Sequence, residues 1–282
     1  MRDGDTPTVV MTGATAGLGR ATVPLLARHG AHLVLLARNL DKAAAVADEA
    51  RQAGAPQVDV VECDLSLTSS ARRAAAELAA RGIVADVLVN DAALVSPTRI
   101  VTVEGSETML ATNYLGPWLL TRLVLAGLPE NWPIRLISVG GPLDAKPDLA
   151  DLDSDQSFTF ATAFERSKTA LNLFTAAVPR HLPAVDVRAV IYSPGLMKTG
   201  LSATMAGAMA RVAKMVATHV LADPARPAEG LATLALLTDL KDTAPGTLFD
   251  RHGKATPMPL LDDVDLQEGL WRLTSQRLGL DG

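Results

Sequence analysis

Thr8 to Arg20 reads TVVMTGATAGLGR, and this stretch decides the fold. The short apolar run Val9, Val10, Met11 predicts a buried parallel strand, and glycines follow at once. Past Leu18 the apolar positions Val23, Leu25, Leu26 and Ala27 predict a helix. Gly13, Gly17 and Gly19 fall where the strand must turn sharply into that helix, with Thr15 and Leu18 in the same turn. A side chain at the glycine positions would hold a ligand's phosphates away from the backbone N–H groups. The helix N-terminus then offers unpaired donors and a partial positive charge to a pyrophosphate. Glycine also punctuates ordinary turns, but the strand before and the helix after favour a dinucleotide site.

Working outward, 282 residues suffice for one large α/β domain, and 48% apolar with 20% charged residues is a globular composition. A net charge of −5 gives no basic footprint for nucleic acid. Cys63 is the single cysteine, which excludes an internal disulfide and offers no metal cluster; a small core residue near a strand end is expected. The start, MRDGDTPT, is polar and runs straight into the first strand, unlike a secretory signal. No apolar run reaches the ~18 residues of a membrane span. The expectation is a soluble cytoplasmic protein that meets neither nucleic acid nor membrane.

Strands and helices alternate along the chain, predicting a doubly wound Rossmann-type parallel sheet with helices on both faces, in a single domain over 1–282. Strands are expected at His32–Ala37, Val58–Cys63, Asp86–Val89, Ile134–Val139, Val185–Ile191 and near Leu248. Helices are expected over Asp41–Ala53, Thr68–Arg81, Glu104–Leu128, Thr162–Arg180 and Ala228–Leu240, and around Trp271. Gly141–Ser157, rich in Asp and Pro, reads as a long loop at the edge of the site. Residues 200–225 are apolar, with Met205, Met209 and Met215 at roughly helical spacing; core packing or a substrate lid fits that stripe.

Arg38 follows the second strand, where a dinucleotide's adenosine ribose is read. An acidic residue there bonds the 2′-hydroxyl of NAD, whereas an arginine accommodates a 2′-phosphate, so NADPH is the expected coenzyme, with NADH possible. Asp64 ends the third strand beside Leu65, and either accepts from the adenine amine or caps the next helix. Asn90 and Ala92, in NDAA, end the fourth strand alongside the adenosine half.

These motifs together resemble the short-chain dehydrogenase/reductase family over nearly the whole length. TGATAGLG stands for the family's TGxxxGxG, and NDAA stands where the family has NNAG. Asn113 in TNYLGPW matches the asparagine of the long helix, and Pro194-Gly195 with Thr199 matches PGxxxT. The later spacings and the closing GLWRLT are most similar to the branch containing retinol dehydrogenases. The resemblance implies a YxxxK pair, in which the tyrosine gives a proton to the carbonyl oxygen and the lysine holds the nicotinamide ribose. It also implies a serine after the fifth strand that orients the substrate oxygen, and a water relay anchored by Asn113.

Here the chain departs from its family. The first motif reads FERSK, so Lys168 is present but Phe164 takes the tyrosine's place. IRLISVGG puts Gly140 and Gly141 at the two serine positions, and Ser138 falls three residues early, on the opposite face of the strand. A positioned general acid contributes about 10²–10⁴-fold in rate, or roughly 3–5 kcal/mol of barrier. Three readings remain. In the first, a conjugated, quinone-like carbonyl spreads the arriving charge and needs no tyrosine. This fits a resemblance to ketoreductases that tailor polycyclic aromatic polyketides of the angucyclinone type, with glycines opening space for a planar substrate near Phe164. In the second, the acid moves to Ser96, Tyr192, Ser193 or Thr162; Ser96, Tyr192 and Met205 are in any case expected to line the substrate. The third is a non-catalytic NADP-binding sensor. Trp118 and Leu119 serve either the core or the interface of a homo-oligomer.

Overall fold

The computed structural model of the chain describes residues 6–195 and 224–280. Eight strands form one sheet: β1 (Thr8–Thr12), β2 (His32–Ala37), β3 (Val58–Glu62), β4 (Val87–Asn90), β5 (Pro133–Val139), β6 (Asp186–Ser193), β7 (Thr247–Asp250) and β8 (Ala255–Thr256). Their order is β3-β2-β1-β4-β5-β6-β7-β8, parallel except for the antiparallel β8. The helices are α1 (Gly17–Arg28), α2 (Leu40–Gln52), α3 (Thr68–Ala80), α4 (Thr108–Leu110), α5 (Gly116–Ala126), α6 (Phe160–His181), α7 (Ala225–Leu236) and α8 (Val264–Leu278).

Strand alternation divides the interior into two cores, one per face of the sheet. Val10, Val34, Leu88, Leu136 and Ala189 pack under α3, α5, α6 and α8, through residues such as Ala74, Trp118, Leu171 and Trp271. Val9, Met11, Leu35, Val89, Ile137 and Val190 pack under α1, α2 and α7, through Val23, Val46 and Leu231. A sheet buried on both faces requires the near-continuous apolar strands that the sequence shows. The chain runs outward from β1 to β3 and returns to β4 on the other side of β1. That reversal opens a crevice at the carboxyl ends of β1 and β4, where ligands of open α/β sheets bind.

The predicted doubly wound sheet is observed. Three local differences have physical causes. The long helix expected from Glu104 begins at Thr108, because Glu107 caps its first turn through Met109 N and Leu110 N at 2.9 and 2.7 Å. Glu104 instead accepts from Thr68 N at 2.6 Å and Ser69 N at 3.1 Å, capping α3. A π-helical turn, Ala111–Leu115, separates α4 from α5. The β7–β8 hairpin adds an edge strand of two residues, too short for any hydrophobic pattern to announce. Pro224 and Ala225 open α7, and the rest of the predicted lid lies outside the described residues. Among the described residues, no helix is long and apolar enough to cross a membrane.

Candidate active site

The turn after β1 is built by close approach. Gly13 and Gly17 adopt φ of 75° and 54°, a left-handed conformation that glycine takes without strain. A Cβ on Gly19 would sit 2.5 Å from Gly13 O and 2.6 Å from Asp91 Oδ2. Thr12 Oγ1 accepts from Asp91 N at 3.1 Å and Ala92 N at 3.2 Å, tying the end of β1 to the end of β4. The helix that follows has Ala16 as its cap, whose side chain makes no hydrogen bond, and no acidic residue of its own in its first turn, where the Gly19 N–H meets the Asp91 carboxyl from the end of β4. By contrast, Asn39 caps α2 and Thr159 caps α6 with their side chains. A helix N-terminus whose cap residue leaves its N–H groups free of its own side chain, beside glycines packed against the end of β4, fits a pyrophosphate.

The adenosine side is partly committed to the fold. Arg38 is exposed at the end of β2. Asp64 Oδ1 accepts from Ser66 N at 2.9 Å and Ser66 Oγ at 2.7 Å, so it caps its own turn. Leu65 is buried, and its carbonyl leaves room only for the hydrogen of Gly116. Asn90 is buried; its Nδ2 donates to Thr121 Oγ1 at 3.0 Å, while its Oδ1 has no partner among the described residues. An orphaned buried acceptor at the crevice is a second observation that suits a bound ligand.

Between the two halves lies Asp91, which the sequence reading passed over. Burial pushes its carboxyl up to about 7, against the opposing pull of Lys168 and of the Gly19 N–H. Burial likewise brings the Lys168 ammonium down to about 8, with Asp91 pulling the other way. Lys168 Nζ donates to Val139 O at 2.5 Å, which fixes the side chain over the end of β5. The available signal was the acid in NDAA, at the second asparagine of the family pattern.

At the end of β5 the two glycines differ. A Cβ on Gly140 would run into Asn172 Oδ1, whose amide donates through Nδ2 to Gly141 O at 2.9 Å. Among the described residues, a Cβ on Gly141 meets nothing closer than Leu143 Cγ and Ser193 Oγ, each at 3.9 Å. The expectation that both glycines open space is therefore corrected: Asn172 fills the place beside Gly140, and only Gly141 leaves room. Phe164 is partly buried on α6, four residues before Lys168 and so on the same helix face. Asn113, in the π-helical turn, accepts from Leu94 N at 2.7 Å and donates to Leu94 O and to Ser167 Oγ, both at 3.0 Å. It clamps the loop after β4 to α6 one residue from Lys168, as a positioning residue; π-helical turns recur at functional sites.

The family model for short chain dehydrogenases matches residues 7–209. The chain belongs to that family. Mouse retinol dehydrogenase 14 is 30% identical over 288 residues, covering 97% of this chain and 86% of the mouse protein. Human retinol dehydrogenase 14 is 33% identical over 210 residues, covering 69% of this chain and 62% of the human protein. Among solved structures, an uncharacterised protein from Mycobacterium paratuberculosis superposes with a TM-score of 0.75 at 29% identity, covering 98% of this chain and 97% of that one. Actinorhodin polyketide ketoreductase with NADPH gives a TM-score of 0.64 at 20% identity, covering 89% and 97%, a likeness of fold.

Several residues that were expected to line the substrate in this short-chain dehydrogenase are engaged elsewhere. Tyr192 is fully buried, and its hydroxyl donates to Pro227 O at 2.6 Å beneath α7, on the opposite face from α6. Strand alternation accounts for this, since Tyr192 shares its parity with Val190 of the α1–α7 core. Ser96 Oγ donates to Thr98 O at 2.6 Å within its own loop. Ser138 was expected on the opposite face of the strand, but it lies on the α6 face, buried and accepting from Thr175 Oγ1 at 2.7 Å, because it shares its parity with Leu136 of the α6-side core. Trp118 and Leu119 are fully buried, Trp118 at 5.6 Å from the Trp271 ring, so both serve the core. Pro194 and Gly195 follow β6, Gly195 with φ of 73°. Thr199 and Met205 lie outside the described residues.

Proposed function

We propose that this short-chain dehydrogenase is an NADPH-dependent ketoreductase acting on a conjugated carbonyl of a polycyclic aromatic, quinone-like substrate, with the substrate itself stabilising the charge. One observation carries the reading: Lys168 is held over the end of β5, with Phe164 one turn before it on α6 and room beside Gly141, the positions at which the motif resemblance expects the proton donor and the orienting hydroxyl. When bound, the reduced nicotinamide supplies a hydride to the carbonyl carbon. The residues of this chain bind and orient. The α1 N-terminus receives the pyrophosphate, Arg38 faces the 2′-phosphate, and Lys168 bonds the nicotinamide ribose. Phe164 offers an apolar wall to a planar ring and no proton. A phenol beside the carbonyl passes its proton to the new alkoxide and becomes a phenolate, whose charge the aromatic rings disperse, so water suffices to restore the phenol's proton. Actinorhodin polyketide ketoreductase and LugOII, which catalyses keto-reduction in lugdunomycin biosynthesis, share this fold at 20% and 22% identity, which is compatible with this substrate class.

The missing tyrosine also favours a second reading, an NADP-binding sensor without catalysis. The test is to mix the protein with NADPH and emodin, a trihydroxyanthraquinone, and follow the reduced nicotinamide absorbance. Turnover supports the reductase; NADPH affinity without turnover on emodin or related hydroxyquinones supports the sensor.

A further inference from the structure

The room left by Gly141 is bordered by one hydroxyl. Ser193 ends β6, and Tyr192 before it faces α7, so alternation directs Ser193 toward α6, the side of Lys168 and Phe164. Ser193 is 7% exposed, and its Oγ has no hydrogen-bond partner among the described residues. It stands 3.9 Å from the Cβ position of Gly141, so a serine at 141 would project its own hydroxyl into the same space. The other hydroxyls weighed for the site are engaged elsewhere. Ser96 and Tyr192 donate to Thr98 O and Pro227 O, Ser138 accepts from Thr175 in the core, and Thr162 accepts from Thr159 at the start of α6.

We infer that Ser193 donates to the substrate's carbonyl oxygen the hydrogen bond that a serine at 141 would give in its relatives. The donor has moved to the neighbouring strand, and the glycine at 141 clears its path. This rests on the reductase reading and adds to it a residue that touches the reacting oxygen. Ser193 aims that oxygen and keeps its own proton, since the substrate's neighbouring phenol is a far stronger acid than an aliphatic hydroxyl and is the group that protonates the new alkoxide. Phe164 is thereby left as a wall, and water as the source of the final proton.

The test compares wild type, Ser193→Ala, Gly141→Ser and the double variant, by emodin reduction, NADPH affinity and emodin binding in the presence of NADP. Loss of one oxyanion donor lowers kcat by about 10²–10³-fold where the enzyme bears the whole charge. With charge shared by the substrate, Ser193→Ala is expected to lower kcat/KM about 10–100-fold while NADPH affinity holds. Adding Gly141→Ser to Ser193→Ala should restore most of the loss, which a merely structural role would not allow. Activity of Ser193→Ala close to wild type, or no recovery in the double variant, overturns the assignment. If the wild type turns over none of these quinones, the reductase reading fails by itself and emodin binding judges Ser193. Weaker emodin binding by Ser193→Ala, restored in the double variant, keeps the hydroxyl at the carbonyl, and equal binding removes it.

Discussion

Gly19 and Gly141 are the same residue put to opposite uses. Around Gly19, at the ends of β1 and β4, the absence of a side chain lets backbone and carboxylate crowd in to 2.5 and 2.6 Å of its Cβ position. Around Gly141, at the end of β5, it leaves space that none of the described residues takes within 3.9 Å. The coenzyme half is thus over-determined by contacts, and the catalytic half has been cleared. Over-determined contacts tolerate no change, whereas a cleared position tolerates most. Gly19→Ala should therefore weaken NADPH binding by more than about 100-fold, since overpacking that shifts a loop costs ~1–3 kcal/mol and the phosphate contacts go with it. Gly141→Ala should leave the affinity within about twofold, consistent with the ±0.5 kcal/mol of substitutions away from such contacts. Fluorescence titration of both variants checks this, and equal losses would break the contrast.

The next effect sharpens the adenosine end of the same half. Arg38 is exposed and follows β2 directly, where a 2′-phosphate would meet its guanidinium. A hydrogen bond to a charged group is worth about 1.5–3 kcal/mol, so Arg38→Ala should weaken NADPH roughly 10–100-fold. NADH, which lacks that phosphate, should lose little. Equal losses for the two coenzymes would remove Arg38 from the phosphate.

The contrast also explains what could be read from sequence. Backbone-driven features were legible: the glycines, the alternation that buries both faces of β1 and β2, and the motif order that places β4 beside β1. Features set by distant side chains were not. Asn172 reaches from α6 into the space beside Gly140, and only folding brings the two together. The π-helical turn around Asn113 leaves the apolar periodicity of TNYLGPWLL undisturbed, so nothing in the pattern marks it. Tyr192 was misplaced by one residue of strand parity, with Ser193 carrying the hydroxyl that faces α6. Asp91 was visible as an acid in NDAA, but its burial against Gly19 and its relation to Lys168 are tertiary facts.

Asp91 links the two halves and yields a pH signature. Its carboxyl stands near 7 in the folded protein against an ordinary value of 3.8, so between these the folded chain holds a proton that the unfolded chain has lost. Stability then declines as pH rises through that window, and the full cost is present above about pH 7. Asp91→Asn, which gives the family's asparagine, removes a charge and keeps the shape. In the coenzyme-free protein it should raise Tm by several degrees at about pH 7.5, and by clearly less at about pH 5. Thermal unfolding at the two values checks the difference, and an identical gain at both would show that the carboxylate is not the cause.

The smallest expected effect is the one that bears hardest on the cleared half. Phe164 lies one helical turn before Lys168, so Phe164→Tyr puts a phenol at the position where the motif resemblance expects the proton donor, on the helix face of an ammonium able to lower its pKa. A general acid accelerates only as far as charge accumulates on the oxygen in the transition state. A simple ketone gathers nearly all of it there, and the new tyrosine would raise its rate by about 10²-fold or more. A hydroxyquinone meets the growing charge with the internal hydrogen bond of its own phenol and spreads the resulting phenolate over its rings, so little remains for the tyrosine to neutralise. Emodin turnover by Phe164→Tyr should stay within about threefold of wild type, while activity on an unconjugated cyclic ketone such as cyclohexanone rises. A hundredfold gain on emodin would show that the protein lacks an acid its substrate needs, and the division of labour between chain and substrate would have to be redrawn.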